Sequence, residues 1–138
     1  PKTSLSVSTM TPLIHDGLMF GTDETLGALV AAKVEDGERI WQTYEPVRPG
    51  HGRRLNAGTA FVTRHTPTGH YFLFGEDGHF SVADMDADGY HSRGQVKVIE
   101  PTQTAFGRKV VWSHPAYANK TAYVRNDKEL VAIDLAKP

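Results

Sequence analysis

Short apolar segments recur along this chain, and clusters of Gly, Asp, Asn and Pro separate them. Within the segments, apolar residues either alternate with polar ones or run continuously, and none sustains a helical period beyond a turn or two. This pattern is typical of β-strands joined by turns. The sequence therefore predicts an all-β fold.

The predicted strands are regularly spaced. Three of them follow a polar turn and contain Phe20, Phe74 and Val124, which lie 54 and 50 residues apart. Other predicted strands keep the same phase, one set after these and one set before them: 28–32, 80–84 and 130–134, then 11–14, 59–65 and 111–117. The first two units have a further strand, at 38–44 and 94–100. Four short antiparallel strands per unit are typical of a β-propeller blade.

The repeat predicts a partial β-propeller of about three four-stranded antiparallel blades, the last of them incomplete. The alternative is a β-sandwich or small barrel, because a meander of strands can mimic a period. Residues 3–9 also alternate and predict a spare strand. The predicted boundaries are 1–10 for the N-terminal strand, 11–46 for blade 1, 47–57 for a loop, 58–103 for blade 2, and 104–138 for blade 3 without its fourth strand.

Two motifs of the first unit resemble a known repeat family. A Gly-x-Leu-x-Ala motif begins at Gly27, and a Gly-x-x-x-Trp motif ends at Trp41. Together they resemble the signature of PQQ-like (quinoprotein-like) β-propeller repeats. Parts of the second and third units resemble the C-terminal blades of bacterial PQQ-like repeat proteins, and the resemblance of all three units together covers residues 11–136. In the family the Trp docks against the next blade, but Arg93 occupies that position in the second unit.

The resemblance implies a ring, and a propeller ring closes with about four to eight blades. Three units fall short, so the expected partners are other blades, supplied by a longer parent chain or by a second copy. Two copies would give a six-bladed ring, with residues 3–9 completing the third blade of a neighbour. Similar proteins are exported, which implies a periplasmic or extracellular parent, although this chain shows no targeting signal.

Composition narrows the function classes. The chain has 138 residues, 15 basic and 16 acidic, and a net charge of −1, so no global field favours nucleic acid. No apolar run is long enough for membrane insertion. The absence of cysteine excludes disulfides, thiolate metal sites and cysteine nucleophiles.

One turn carries the spacing of a calcium loop. Asp84, Asp86 and Asp88 place carboxylates at alternate positions, and Gly89 follows them. Gln95 stands at the twelfth position, where such a loop has a bidentate carboxylate. These three aspartates are therefore candidate calcium ligands, and a solvated acidic turn is the alternative.

Candidate ligand-binding residues lie in the third unit: Trp112, His114, Arg125 and Asp127. Dehydrogenases that resemble this fold hold PQQ and calcium, and Trp112 with Arg125 could form part of such a site. Those enzymes also have a vicinal cysteine pair, which this chain lacks, so PQQ is not expected and neither is another cofactor. Alternatively, Trp112 packs between blades and Arg125 pairs with an acidic residue or faces solvent.

The sequence thus predicts a non-catalytic module for binding or scaffolding, with a protein as one conceivable partner. No catalytic residue is predicted. The rival hypothesis is a fragment of a PQQ-dependent quinoprotein dehydrogenase, and a third is a chain selected for studying how propeller fragments assemble.

Overall fold

The structure is a computed structural model that describes residues 5–136 of the chain. These residues form β-strands and turns, with no helix among them. The first sheet contains, in this order, β1 (Leu13–His15), β2 (Leu18–Thr22), β3 (Leu29–Lys33) and β4 (Arg39–Thr43). The second contains β5 (Ala60–Arg64), β6 (Tyr71–Gly75), β7 (His79–Met85) and β8 (Tyr90–Lys97).

Two smaller sheets follow along the chain. A hairpin joins β9 (Gln103–Ala105) to β10 (Arg108–Val110), and the third sheet contains β11 (Ala116–Ala118), β12 (Thr121–Arg125) and β13 (Leu130–Asp134). Every strand pair is antiparallel. The all-β prediction is confirmed, and the predicted strands at 28–32, 80–84 and 130–134 are confirmed as β3, β7 and β13.

The strand predicted at 111–117 is wrong over most of its length, because only its last two residues lie in β11. Val111 instead donates its N–H to the carbonyl oxygen of Glu76 at 2.7 Å and is buried. The β9–β10 hairpin before it was not predicted. Its turn residues Phe106 and Gly107 have φ of 49° and 74°, the left-handed conformation that a two-residue hairpin turn requires.

Residues 5–9 of the predicted N-terminal strand pair with no strand of this chain, and residues 1–4 lie outside the described residues. That this segment completes a blade of another copy or of a longer parent chain stays a prediction. The carbonyl of Ser6 accepts the N–H of Glu24 at 2.7 Å, so this segment runs beside the turn after β2. Gly21 leaves room for it: a Cβ there would lie 2.9 Å from a methyl carbon of Leu5.

The first and third sheets share one kind of turn, which joins the second strand of each sheet to its third. In the first sheet, Asp23 Oδ1 accepts the N–H groups of Thr25 and Leu26, both at 3.0 Å. In the third sheet, Asn126 Oδ1 accepts those of Lys128 and Glu129, both at 2.8 Å. A side-chain oxygen that satisfies the turn's own amides explains why Asp and Asn occupy these positions.

Aromatic rings connect the three larger sheets into one core. Phe20 of the first sheet contacts Tyr71 of the second, with ring centroids 5.5 Å apart. Phe72 of the second sheet stacks on Tyr117 of the third at 5.7 Å. Trp41 in β4 adds a polar link, because its Nε1 donates to the carbonyl of Asp86 at 2.7 Å.

The sheets have two different ends. At one end, which we call the connection end, lie the turns 23–28, 76–78 and 126–129 together with the connection 44–59. At the opposite end, the turn end, lie the turns 16–17, 65–70 and 86–89. Candidate sites occur at both ends.

Candidate site at the connection end

A buried carboxylate organises the connection end. Glu76 follows β6, and its side chain is fully buried. Its Oε1 accepts Arg48 Nε at 2.9 Å and Arg108 Nε at 2.7 Å. Its Oε2 accepts Arg108 Nη2 at 2.9 Å and Trp112 Nε1 at 3.1 Å. One side chain of the second sheet therefore fixes the connection 44–59, the β9–β10 hairpin and the segment before the third sheet.

The electrostatics of Glu76 follow from these contacts. Burial alone would raise the pKa of Glu76, but hydrogen bonds from Arg108, Arg48 and Trp112 outweigh it and hold the pKa below its ordinary value. The two guanidinium groups are held in turn by backbone carbonyls, Arg48 by Lys109 at 2.6 Å and Arg108 by Asn56 at 2.7 Å. Glu76 is thus a charged, fully satisfied structural group.

A small cavity of about 140 Å³ opens beside this network. Trp112, Arg125 and Asp127, three of the four predicted ligand-binding residues, line it. The hydroxyl of Thr102 donates to the Asp127 carboxylate, and Asn126 Nδ2 donates to the carbonyl of Glu100 at 2.9 Å. The structure therefore brings an indole, a guanidinium and a carboxylate to one polar recess.

His114, the fourth predicted residue, is not among the residues that line this recess. Its ring lies 5.0 Å from that of Phe61, and its Nδ1 donates to the carbonyl of Pro115 at 2.9 Å. His114 is exposed, and its ring contacts the second sheet through Phe61.

An exposed ring stands at the rim of the same end. Phe106, in the turn of the β9–β10 hairpin, is 63% exposed. Its ring centroid lies 6.2 Å from that of Trp112, and Arg108 Cζ lies 5.9 Å from it. An exposed aromatic ring beside a half-buried indole and an arginine is typical of surfaces that bind proteins.

Two of the three predicted calcium ligands, Asp84 and Asp86, accept hydrogen bonds from neighbouring groups. Asp84 accepts Nδ1 of His70 at 2.7 Å and Nε of Arg93 at 2.6 Å, and the bond from His70 contributes most to a lowered pKa of Asp84. Asp86 Oδ1 accepts the N–H groups of Asp88 and Gly89 at 2.8 and 3.2 Å. Across residues 5–136 no group of three or more His, Cys, Asp or Glu side chains is arranged to hold a metal ion.

Sequence reasoning missed Glu76, Arg108 and Phe106. Glu76 sits in an Asp- and Gly-containing turn, where a glutamate ordinarily faces solvent, so its burial had no local signal. The hairpin that carries the other two had only Gly107 as a local signal, because Phe-Gly is not one of the dipeptides typical of two-residue hairpin turns.

Compared with the models of known protein families and with curated proteins, the chain matches none of either. The similarity to PQQ-like repeats therefore depends on the sequence motifs alone. Within the described part of the chain, a helix that could span a bilayer is not found.

Proposed function

We propose that this chain is a non-catalytic binding and scaffolding module built from PQQ-like β-propeller blades, and that it binds a protein partner at the connection end. The observation that carries the binding proposal is the cluster of Phe106, Trp112 and Arg125 around one recess. Aromatic and arginine side chains supply most of the binding energy at protein interfaces. The Glu76 network holds Trp112 in place before a partner arrives, which lowers the entropic cost of binding.

Two features support the blade interpretation. Sheets of four strands follow one another in chain order, and aromatic rings join neighbouring sheets. Trp41 at the family's signature position bonds the carbonyl of Asp86 in the next sheet. The third sheet has three strands, so β13 offers an edge to a fourth, from a longer parent chain or a second copy. Export of the parent protein to the periplasm or the cell exterior remains part of this proposal.

Partner capture tests the binding surface. The full chain would carry a photo-crosslinking residue in place of Phe106 and would be irradiated in a bacterial periplasmic extract. The control is a chain with the same residue in place of Val34, which is 48% exposed in the turn after β3. We expect one defined adduct at position 106 that Arg125→Ala abolishes. Adducts that are equal at both positions would contradict a specific surface at the connection end.

Size measurement tests the edge of β13. Leu130 on this strand is 68% exposed, so pairing with another chain would cover it. If copies complete the ring, light scattering should give a dimer mass that Leu130→Lys shifts to a monomer, whereas Val34→Lys should leave it unchanged. A folded monomer for the unmodified chain would exclude self-completion and leave the longer parent propeller as the source of the missing strand.

A fragment of a PQQ-dependent dehydrogenase is the second candidate, favoured by the presence of Trp112 and Arg125 in one recess. The recess is smaller than the roughly 300–1,000 Å³ of sites that enclose drug-sized ligands, which favours a single side chain as occupant. Absorbance and dye-reduction measurements after addition of PQQ and calcium separate the two candidates. Specific PQQ binding lost in Trp112→Phe or Arg125→Ala would overturn the non-catalytic proposal.

A further inference from the structure

A second, larger cleft lies at the turn end, between the first and second sheets. Its volume is about 380 Å³, which falls within the range of small-molecule sites. Three turns form its rim, and the side chains at its base come from both sheets. The base of the cleft is largely apolar and is formed by Leu18, Phe20, Met85 and the ring of Tyr71.

Both acidic and basic side chains line the cleft above this apolar base. Asp16 and Asp88 are exposed on the rim, and no hydrogen bond or ion pair to either carboxylate occurs among residues 5–136. Arg64 lies on the wall, and it is the one Lys or Arg among the described residues that line the cleft.

The rim is held in place before a ligand arrives. Trp41 Nε1 bonds the carbonyl of Asp86, and Asp86 Oδ1 accepts the N–H groups of Asp88 and Gly89. Across the cleft, Asp16 has a φ of 51° in the tight turn before β2, which fixes its position as well. Burial raises the pKa of Tyr71, and the charge and hydrogen bond of Arg64 oppose this effect, so Arg64 lies beside the hydroxyl at the base of the cleft.

We propose that this cleft binds a small zwitterionic molecule of the amino acid class. The ligand carboxylate pairs with Arg64, its ammonium group lies between Asp16 and Asp88, and an apolar side chain contacts Leu18 and Met85. Arginine suits a carboxylate because its planar donors match the two oxygens. The cleft lies at the opposite end from the proposed protein-binding surface. An experiment can therefore refute either proposal and leave the other intact.

Calorimetric titration of the full chain with L-phenylalanine and L-leucine tests the proposal. We expect binding at millimolar concentration or better for at least one of them. Phenethylamine lacks the carboxylate and 3-phenylpropanoate lacks the ammonium group, so each should bind at least about tenfold more weakly than phenylalanine. Equal binding of phenethylamine, or no binding of either amino acid at about 10 mM, would overturn it.

Three variants test which side chains pair with the carboxylate and with the ammonium group of the ligand. Arg64→Gln should remove the preference for phenylalanine over phenethylamine, while Asp16→Asn and Asp88→Asn should remove the preference over 3-phenylpropanoate. Asn tolerates the positive φ of residue 16, so this turn should fold. Asp36→Asn in the exposed turn after β3 is the matched control. Weaker binding in this control would place the ligand elsewhere and refute the assignment.

Discussion

At the scale of single residues, Glu76 joins segments of this protein that lie far apart in sequence. Its carboxylate is fully buried, and two guanidinium groups, an indole N–H and the N–H of Thr59 satisfy it. Replacing such a network by apolar residues can be neutral, but removing one partner leaves the others buried and unpaired. The network therefore makes Glu76 sensitive to even an isosteric change.

We expect Glu76→Gln to lower the free energy of unfolding by about 3–5 kcal/mol, because Arg48 and Arg108 lose their counter-charge. Urea unfolding followed by tryptophan fluorescence measures the change. Glu35→Gln, the same substitution at an exposed position, is the control and should cost less than about 0.5 kcal/mol. A loss below about 1 kcal/mol for Glu76→Gln would show that the ion pairs contribute little.

The lowered pKa of Glu76 makes a second prediction. A carboxyl group whose pKa is lower in the folded than in the unfolded chain stabilises the fold above the unfolded value, about 4.5, and loses this effect as pH falls through the folded value. The stability difference between the unmodified chain and Glu76→Gln should therefore shrink as pH falls from 5 towards 2. Unfolding curves across this range check it, and a difference independent of pH would contradict a charged Glu76.

At the scale of elements, the turn between β6 and β7 lies very close to the segment after β8. Gly78 has a φ of 88°, and a Cβ there would lie 1.8 Å from the carbonyl oxygen of Ile99. Gly78 N–H also bonds the Gly75 carbonyl at 3.0 Å. Only glycine allows the turn and the segment after β8 to approach so closely.

Gly78→Ala should therefore destabilise the protein by more than about 3 kcal/mol, since it adds a backbone clash to the cost of positive φ. Gly50→Ala is a matched control, because Gly50 has a φ of 74° but open space around it. We expect it to cost only about 1–2 kcal/mol. Thermal melting of both variants gives the comparison, and equal losses would argue against the close approach.

The sequence predicted strands correctly where buried and exposed positions recur with a regular period, and it missed strands where they do not. From Ser81 to Met85, β7 alternates buried and half-buried residues, so the order of these side chains alone reveals the strand. The strands β9 and β10 have three residues each, too few to show such a pattern, which explains why they were missed. The sequence predicted part of the candidate site, namely its aromatic and charged loop residues. It did not reveal Glu76, which positions Trp112 through a hydrogen bond between residues 36 positions apart.

At the scale of the whole molecule, the third sheet ends on the edge strand β13. The strand β12 pairs on both sides, whereas β13 pairs on one side only and alternates exposed with half-buried residues. Unpaired strand edges open more readily and also recruit other chains.

Hydrogen exchange of a dilute sample should show this asymmetry. Amides of β12 should be protected at least about a hundredfold more than those of β13, because the edge strand can detach without breaking the core. Raising the protein concentration should protect β13 selectively if a second copy pairs there. Equal protection of the two strands at every concentration would contradict an open edge.

The contacts of Glu76 also bear on how the chain folds as it is synthesised. Its partners Arg48, Arg108 and Trp112 lie 28, 32 and 36 positions away, on both sides of it. A nascent chain that ends before residue 112 can pair the first two sheets but leaves this carboxylate without its full set of donors. We therefore expect the second sheet to reach its full stability only after the segment that begins the third sheet has left the ribosome.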